Sequence, residues 1–168
     1  SSWLASASYM QAAAEDRDVG GELFTGNETL GIVSLVYKWA PGGNRRDRNL
    51  TLSGEYFFDT MEGDYDAVPV SLERSGWYAQ GVYQFRRRWS FGLRYAALMP
   101  DGVPAALAGT ALDAAGLDPW SATALLEFDT SEFGRLRAQF THDESGPIEN
   151  DEFRLQYTVI YGPHSAHR

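Results

Sequence analysis

The sequence contains no cysteine, which excludes disulfides, thiol nucleophiles and cysteine-ligated metals. Lysine is nearly missing: Lys38 is the single lysine, and arginine carries the rest of the positive charge. A formal net charge of −9 argues against nucleic acid, which would want a basic face, so no nucleic-acid partner is expected. No apolar run approaches the ~20 residues of a membrane helix. No signal-peptide pattern opens the chain, because Ser1, Ser2 and Trp3 lead directly into a strand-like run. No cofactor motif is present, and no cofactor is expected.

What is there instead is alternation. Aromatics make up 14% of residues, and most of them close off apolar stripes. In the run from Asn150, residues Phe153, Leu155, Tyr157, Val159 and Tyr161 share one parity, while Glu152, Arg154, Gln156 and Thr158 share the other. Period-2 alternation of this kind marks a strand with one apolar and one polar face. The pattern recurs along the chain and predicts strands over residues 2–13, 29–40, 48–59, 75–86, 88–98, 119–129, 132–142 and 151–161. The fold class expected is all-β: a transmembrane antiparallel up-and-down β-barrel of about eight strands, in one domain over 1–168, or a section of a larger barrel. A mean hydropathy of −0.36 is compatible with this, since half of every strand would face a polar lumen.

The expected connections fall into two classes. Those at 40–49, 86–88 and 129–134 are short and hold Arg45, Arg46, Arg48, Arg86, Arg87 and Arg88. Those at 14–31, 59–74, 97–118 and 143–150 are longer and mostly acidic. Bacterial barrels place short turns on the periplasmic side and long loops outside. The alanine-rich stretch 103–117 could form a helical turn or two, and is expected to be a mobile surface loop, with inward folding as the less favoured reading.

The apolar face predicted to meet lipid includes Trp3, Trp39, Leu52, Tyr56, Trp77, Tyr95, Trp120 and Leu126. The opposite parity gathers the candidate pore-lining residues Lys38, Glu55, Arg94, Glu127, Arg137 and Arg154. Inward arginines favour anions through their field and through bidentate contact with phosphate or carboxylate. The plainer reading is an arginine–glutamate network that fills a narrow interior.

Other chemistry is weaker. His164 and His167 have an H-x-x-H spacing, but no helix aligns them, so no metal site is expected. The run Glu62-Gly63-Asp64-Tyr65-Asp66 alternates oxygen ligands without EF-hand spacing, and reads as solvated surface charge. His142 with Asp143 and Glu144 is the sole cluster resembling a catalytic one. No nucleophile motif accompanies it, and an enzyme is not expected.

Three segments, WYAQGVYQFRRRWSFGLRY (77–95), LLEFDTSEFGRLRAQFTHD (125–143) and EFRLQYTVIYGPHSAHR (152–168), resemble the C-terminal part of Gram-negative outer-membrane barrels. The last two look similar to the ends of phosphate-selective porin-like proteins. They also resemble TonB-dependent-receptor-like barrels, which often finish in Gly-x-His-x-x-His before a terminal aromatic. The resemblance covers about half the chain and carries over no substrate. It implies a bacterial outer-membrane location, with the lipid bilayer and small solutes or ions as partners and a homo-oligomer or larger outer-membrane complex open. The expected function is a porin-like channel for passive or gated passage of small solutes, with mild anion preference. The alternative is a non-conducting barrel with a structural, adhesive or assembly role. The sequence ends at Arg168 where such proteins close on Phe or Trp, and a piece of a longer barrel of about sixteen strands is therefore expected.

Overall fold

The computed structural model describes residues 1–160. Eight strands pair in the order in which they occur, each antiparallel to the next: β1 (Ser2–Val19), β2 (Glu22–Trp39), β3 (Asn49–Tyr65), β4 (Val68–Arg86), β5 (Trp89–Met99), β6 (Trp120–Asp129), β7 (Gly134–Asp143) and β8 (Asn150–Val159). The all-β up-and-down architecture expected from the alternation is therefore present. No ladder joins β1 to β8 among the described residues, and these strands form the two edges of the sheet.

Two expected long loops are absent. The stretch 14–31 is mostly strand, and β1 and β2 meet in a two-residue turn at Gly20-Gly21, with φ of 70° and 97°. Likewise 59–74 is strand around a turn at Asp66-Ala67, with φ of 45° and 63°. Positive φ at both central residues is the turn whose twist matches paired strands. Glycine takes it freely, and at Asp66 the ladder Tyr65–Val68 and a bond from the Asp66 amide to Leu23 O (2.9 Å) hold it. β1 to β4 thus run 17 to 19 residues, against 10 or 11 for β5 to β8.

The extra length carries a reversal of faces. Cross-strand partners lie on the same side of a sheet, so the register traces each face across strands. One face holds the row Val33, Tyr56, Trp77, Ala97, Trp120 and the rows of apolar residues on the side of the short turns. On that same face, beyond Gly31 and Phe58, come Thr29, Thr60 and Glu73, then Asn27, Glu62 and Ser71, then Thr25 and Asp64. The other face does the opposite. It is polar beside Glu55 and Gln80, but in the extension it presents Phe24, Met61, Tyr65, Val70 and Leu72, all buried. These side chains, with Leu107 and Leu112, form the hydrophobic core of the described residues.

Leu107 and Leu112 come from the connection between β5 and β6, so this segment is folded onto the sheet and is not a free surface loop. Leu107 is 2% exposed and Leu112 8%. A single turn of 3-10 helix at Ala105–Leu107 lets Leu107 point into the core. Asp113 accepts backbone hydrogen bonds from Gly109 and Ala115, both at 2.8 Å, and these bonds hold its carboxyl below the usual range. The alanines of this stretch permit close docking: Ala111 sits where a Cβ on Gly20 would have to go.

Candidate functional site

The polar face is built by strand alternation alone. Successive residues point to opposite sides, and the register brings one parity from each strand into common rows. Lys38, Glu55, Arg94, Glu127, Arg137 and Arg154 all lie on this face, as the alternation predicted. They are not, however, one cluster.

Glu127 is the most buried of them, at 9% exposure. Arg137, its cross-strand partner, donates to Glu127 Oε1 through Nε at 2.8 Å and Nη2 at 2.6 Å, and Arg135 approaches the same oxygen at 3.6 Å. Arg135 also donates to Asp129 at 2.8 Å. Arg154 is held by Glu152 on its own strand, at 2.6 Å. Three arginines near the β6–β8 end of the sheet are therefore matched by carboxylates.

Arg94 differs. Its guanidinium lies over the Tyr78 ring, 4.1 Å from the centroid, and it makes no ion pair among the described residues. Stacking on an aromatic face leaves the N–H groups at the guanidinium edge free to meet an anion. Arg94 also lines two cavities. One of about 970 Å³ reaches from Trp3 to Phe140 and His142 and takes in Glu55 and Gln80. The other, of about 360 Å³, lies among Phe57, Tyr78, Ser121 and Asp143. Lys38 is exposed and likewise has no ion pair among the described residues. Of the expected pore-lining cations, Arg94 and Lys38 are thus available to a solute, while Arg137 and Arg154 are engaged.

A second charged group was not foreseen. Arg17 donates to Glu28 at 2.6 Å, Arg74 reaches Glu28 at 3.5 Å, and Arg74 Nε donates to Asp59 at 2.8 Å. Arg17 also lies 5.4 Å from the Phe24 ring centroid. This network crosses β1 to β4 where the polar face gives way to the apolar core. Its residues lay within the expected loops 14–31 and 59–74. Carrying the β3 parity through residue 59 and the β4 parity back to residue 74 would have revealed Asp59 and Arg74 on the polar face.

His142 hydrogen-bonds Asp151 through Nδ1 (2.7 Å) and Glu144 through Nε2 (3.0 Å). Glu144 in turn accepts from Trp120 Nε1 at 3.1 Å. Asp143, expected beside the histidine, instead accepts the Ser145 amide at 2.7 Å. With both ring nitrogens taken by carboxylates, the imidazole ties β7 to β8 and to the connection between them. In the run at 62–66, Glu62 and Asp64 point away from buried Tyr65, whose hydroxyl donates to Val19 O at 2.6 Å. Burial, reinforced by Glu22, Asp18 and Asp66, raises the pKa of that hydroxyl. No group of three metal-ligating side chains converges among the described residues. The expectations placed on Tyr161, His164 and His167 lie outside the described residues.

No protein-family model matches the chain, and no solved structure matches it. An uncharacterized protein of Aquifex aeolicus (strain VF5) is similar to it, at 29% identity over 134 residues. That alignment covers 71% of this chain and 27% of the relative, so the chain spans about a quarter of the relative's length.

Proposed function

We propose that this chain is membrane-spanning wall of a porin-like channel in a bacterial outer membrane. It would pass small solutes, with mild anion preference set chiefly by Arg94 and Lys38. The observation that carries this reading is the reversal of faces. An apolar face that becomes polar at one level across three strands is what a sheet needs when it leaves hydrocarbon for water. The opposite face reverses in the complementary sense and buries its apolar side chains under residues 100–119.

The dimensions support it. β5 to β8 have 10 or 11 residues, the length of a tilted membrane strand. From Trp77 to Phe85 the apolar parity of β4 covers roughly 27 Å along the strand, which at a ~40° tilt gives a band of about 20 Å. Aromatics mark both borders of that band. Tyr95 lies 5.4 Å from Trp77 and 5.7 Å from Trp120 at one border, and Trp89 lies 4.6 Å from Phe128 at the other. Aromatic girdles of this kind sit at membrane–water interfaces.

The anion preference rests on Arg94 and Lys38, which make no ion pair among the described residues, since a charge already matched by a carboxylate adds little to the field along a pore. Planar-bilayer conductance of the polypeptide that contains this chain is the test. Arg94→Gln should move the reversal potential toward cations, and Arg137→Gln should move it less. A second reading, a non-conducting barrel with a structural or adhesive role, is favoured by the paired arginines and by the segment 100–119 folded over the apolar extension of the same face. An absence of conductance in the parent would decide for it.

A further inference from the structure

Most arginines of the sheet are matched by acids. Arg17, Arg74, Arg135, Arg137 and Arg154 each have a carboxylate oxygen within 3.5 Å. The turn between β2 and β3 and the one between β4 and β5 break this rule. Arg45, Arg46, Arg48, Arg86, Arg87 and Arg88 are all exposed there, and Asp47 is the one carboxylate among them. It meets Arg87 at 3.5 Å, with side-chain exposures of 64% and 72%, a contact that contributes little in water. The other five make no ion pair among the described residues, although the chain as a whole carries a net charge of −9.

The fold gathers these charges into one patch. β3 and β4 pair along their whole length, so the turn before β3 and the turn after β4 open at the same end of the sheet. Side-chain amides then lock the two together. Asn49 Nδ2 donates to Gln84 Oε1 at 2.7 Å and to Arg45 O at 2.9 Å, and Gln84 Nε2 donates to Arg46 O at 2.7 Å. The turn between β6 and β7, at the same end, is different: it holds Glu132, and Arg135 beside it donates to Asp129 at 2.8 Å. The unmatched positive charge is therefore local to two neighbouring turns.

The patch begins where the apolar face stops. Trp39 closes β2 and Trp89 opens β5, both exposed, and Phe85 precedes the arginine run. In a bilayer the layer just outside such an aromatic border is the headgroup layer. A guanidinium is planar, weakly hydrated and able to hold phosphate through two parallel hydrogen bonds. Arginines clustered at that level are attracted to anionic lipid, over a range set by screening.

We propose that the two arginine turns bind the phosphate groups of anionic phospholipids in the leaflet on the short-turn side. The proposal rests on the membrane reading above and adds to it the class of lipid and the border at which it is held.

The polypeptide that contains this chain is folded into phosphatidylcholine vesicles with a minor fraction of brominated lipid, either phosphatidylglycerol or phosphatidylcholine. Emission from Trp39 and Trp89 is read by difference against the variant Trp39→Phe, Trp89→Phe, and emission from Trp77 and Trp120 in the same way. At low salt, brominated phosphatidylglycerol should quench Trp39 and Trp89 at least about two-fold more than brominated phosphatidylcholine, since each arginine near the surface adds to the attraction. The excess should disappear at about 1 M salt, where screening acts within ~3 Å. It should also disappear when all six arginines are replaced by glutamine, and be absent at Trp77 and Trp120, which lie at the other border. Equal quenching by the two lipids at Trp39 and Trp89 would overturn the proposal and hand the patch to a soluble acidic partner, with the membrane reading intact. An excess equally large at both borders, or one that survives in the glutamine variant, would overturn it too. No quenching by either lipid removes both readings. If the glutamine variant fails to insert, brominated phosphatidylcholine no longer quenches it, and the salt dependence and the contrast between borders in the parent still decide.

Discussion

Met61 stands opposite Leu72 across the β3–β4 ladder, and each side chain is 1% exposed. One step along the same strands, Glu62 faces Ser71 on the other side, in the open. The extension of β3 and β4 thus has its core on one face, and the residues that continue it have their apolar band on the other. A single-layer sheet in uniform solvent has no reason to do this. A sheet that passes from lipid to water does.

Replacing Leu126 with Arg should therefore destabilise the folded, lipid-inserted protein by roughly 2–4 kcal/mol if the site lies near the middle of the bilayer. Ser71→Arg, on the same face but in the extension, should change stability by about 0.5 kcal/mol or less. Urea unfolding from vesicles measures both. Equal effects at the two sites would refute the proposed border between lipid and water.

The buried cluster should behave as a local unit. Leu72→Ala removes a fully buried side chain and should cost about 2–5 kcal/mol, depending on how far the site collapses. The loss should appear as faster hydrogen exchange in the upper halves of β3 and β4 and in residues 105–113. Amides of β6 and β7, which take no part in the cluster, should keep their protection.

Topology is readable by labelling. Gly146→Cys has open space around its Cβ, and Glu62→Cys lies on the exposed face of the extension. Both should react with an impermeant thiol reagent on intact cells. Arg87→Cys, in the turn between β4 and β5, should not. Gly63 is a poor site for such a label, because a Cβ there would lie 2.3 Å from the Thr25 carbonyl oxygen. Labelling at residue 87 alone would invert the proposed orientation.

The fold of residues 100–119 should loosen in acid. Asp113 has its pKa lowered by the amides of Gly109 and Ala115, so its stabilising effect is complete above the ordinary carboxylate range. It is lost as pH falls through that range and then through the depressed value. Exchange at Gly109 and Ala115 should accelerate toward low pH relative to neighbouring amides, after correction for intrinsic rates. Asp113→Asn should show fast exchange at all pH values and no such acid transition.

Alternation alone determined which residues share a face, and it placed Lys38, Glu55, Arg94, Glu127, Arg137 and Arg154 together on the polar one. It did so because the strand period is two and leaves no freedom once a strand is recognised. The short turns at Pro41–Gly43 and Arg87-Arg88 were legible for the same reason, as breaks in phase beside paired apolar runs.

Tertiary structure decided the rest. Residues 14–31 and 59–74 read as acidic loops because their apolar parity lies opposite to that of the strands they continue, and a single-phase pattern search ends where the phase turns over. Which cation stays free was also invisible to sequence. Arg94, Arg137 and Arg154 each lie on the polar parity of their strand, but only the register puts Glu127 beside Arg137 and Tyr78 beneath Arg94. The docking of Leu107 and Leu112 depends on contacts between residues more than thirty positions apart, made possible by the core that the extension exposes on its polar-side face. Side-chain period is a local property of the backbone; pairing, burial and the availability of a charge are properties of what the fold brings alongside.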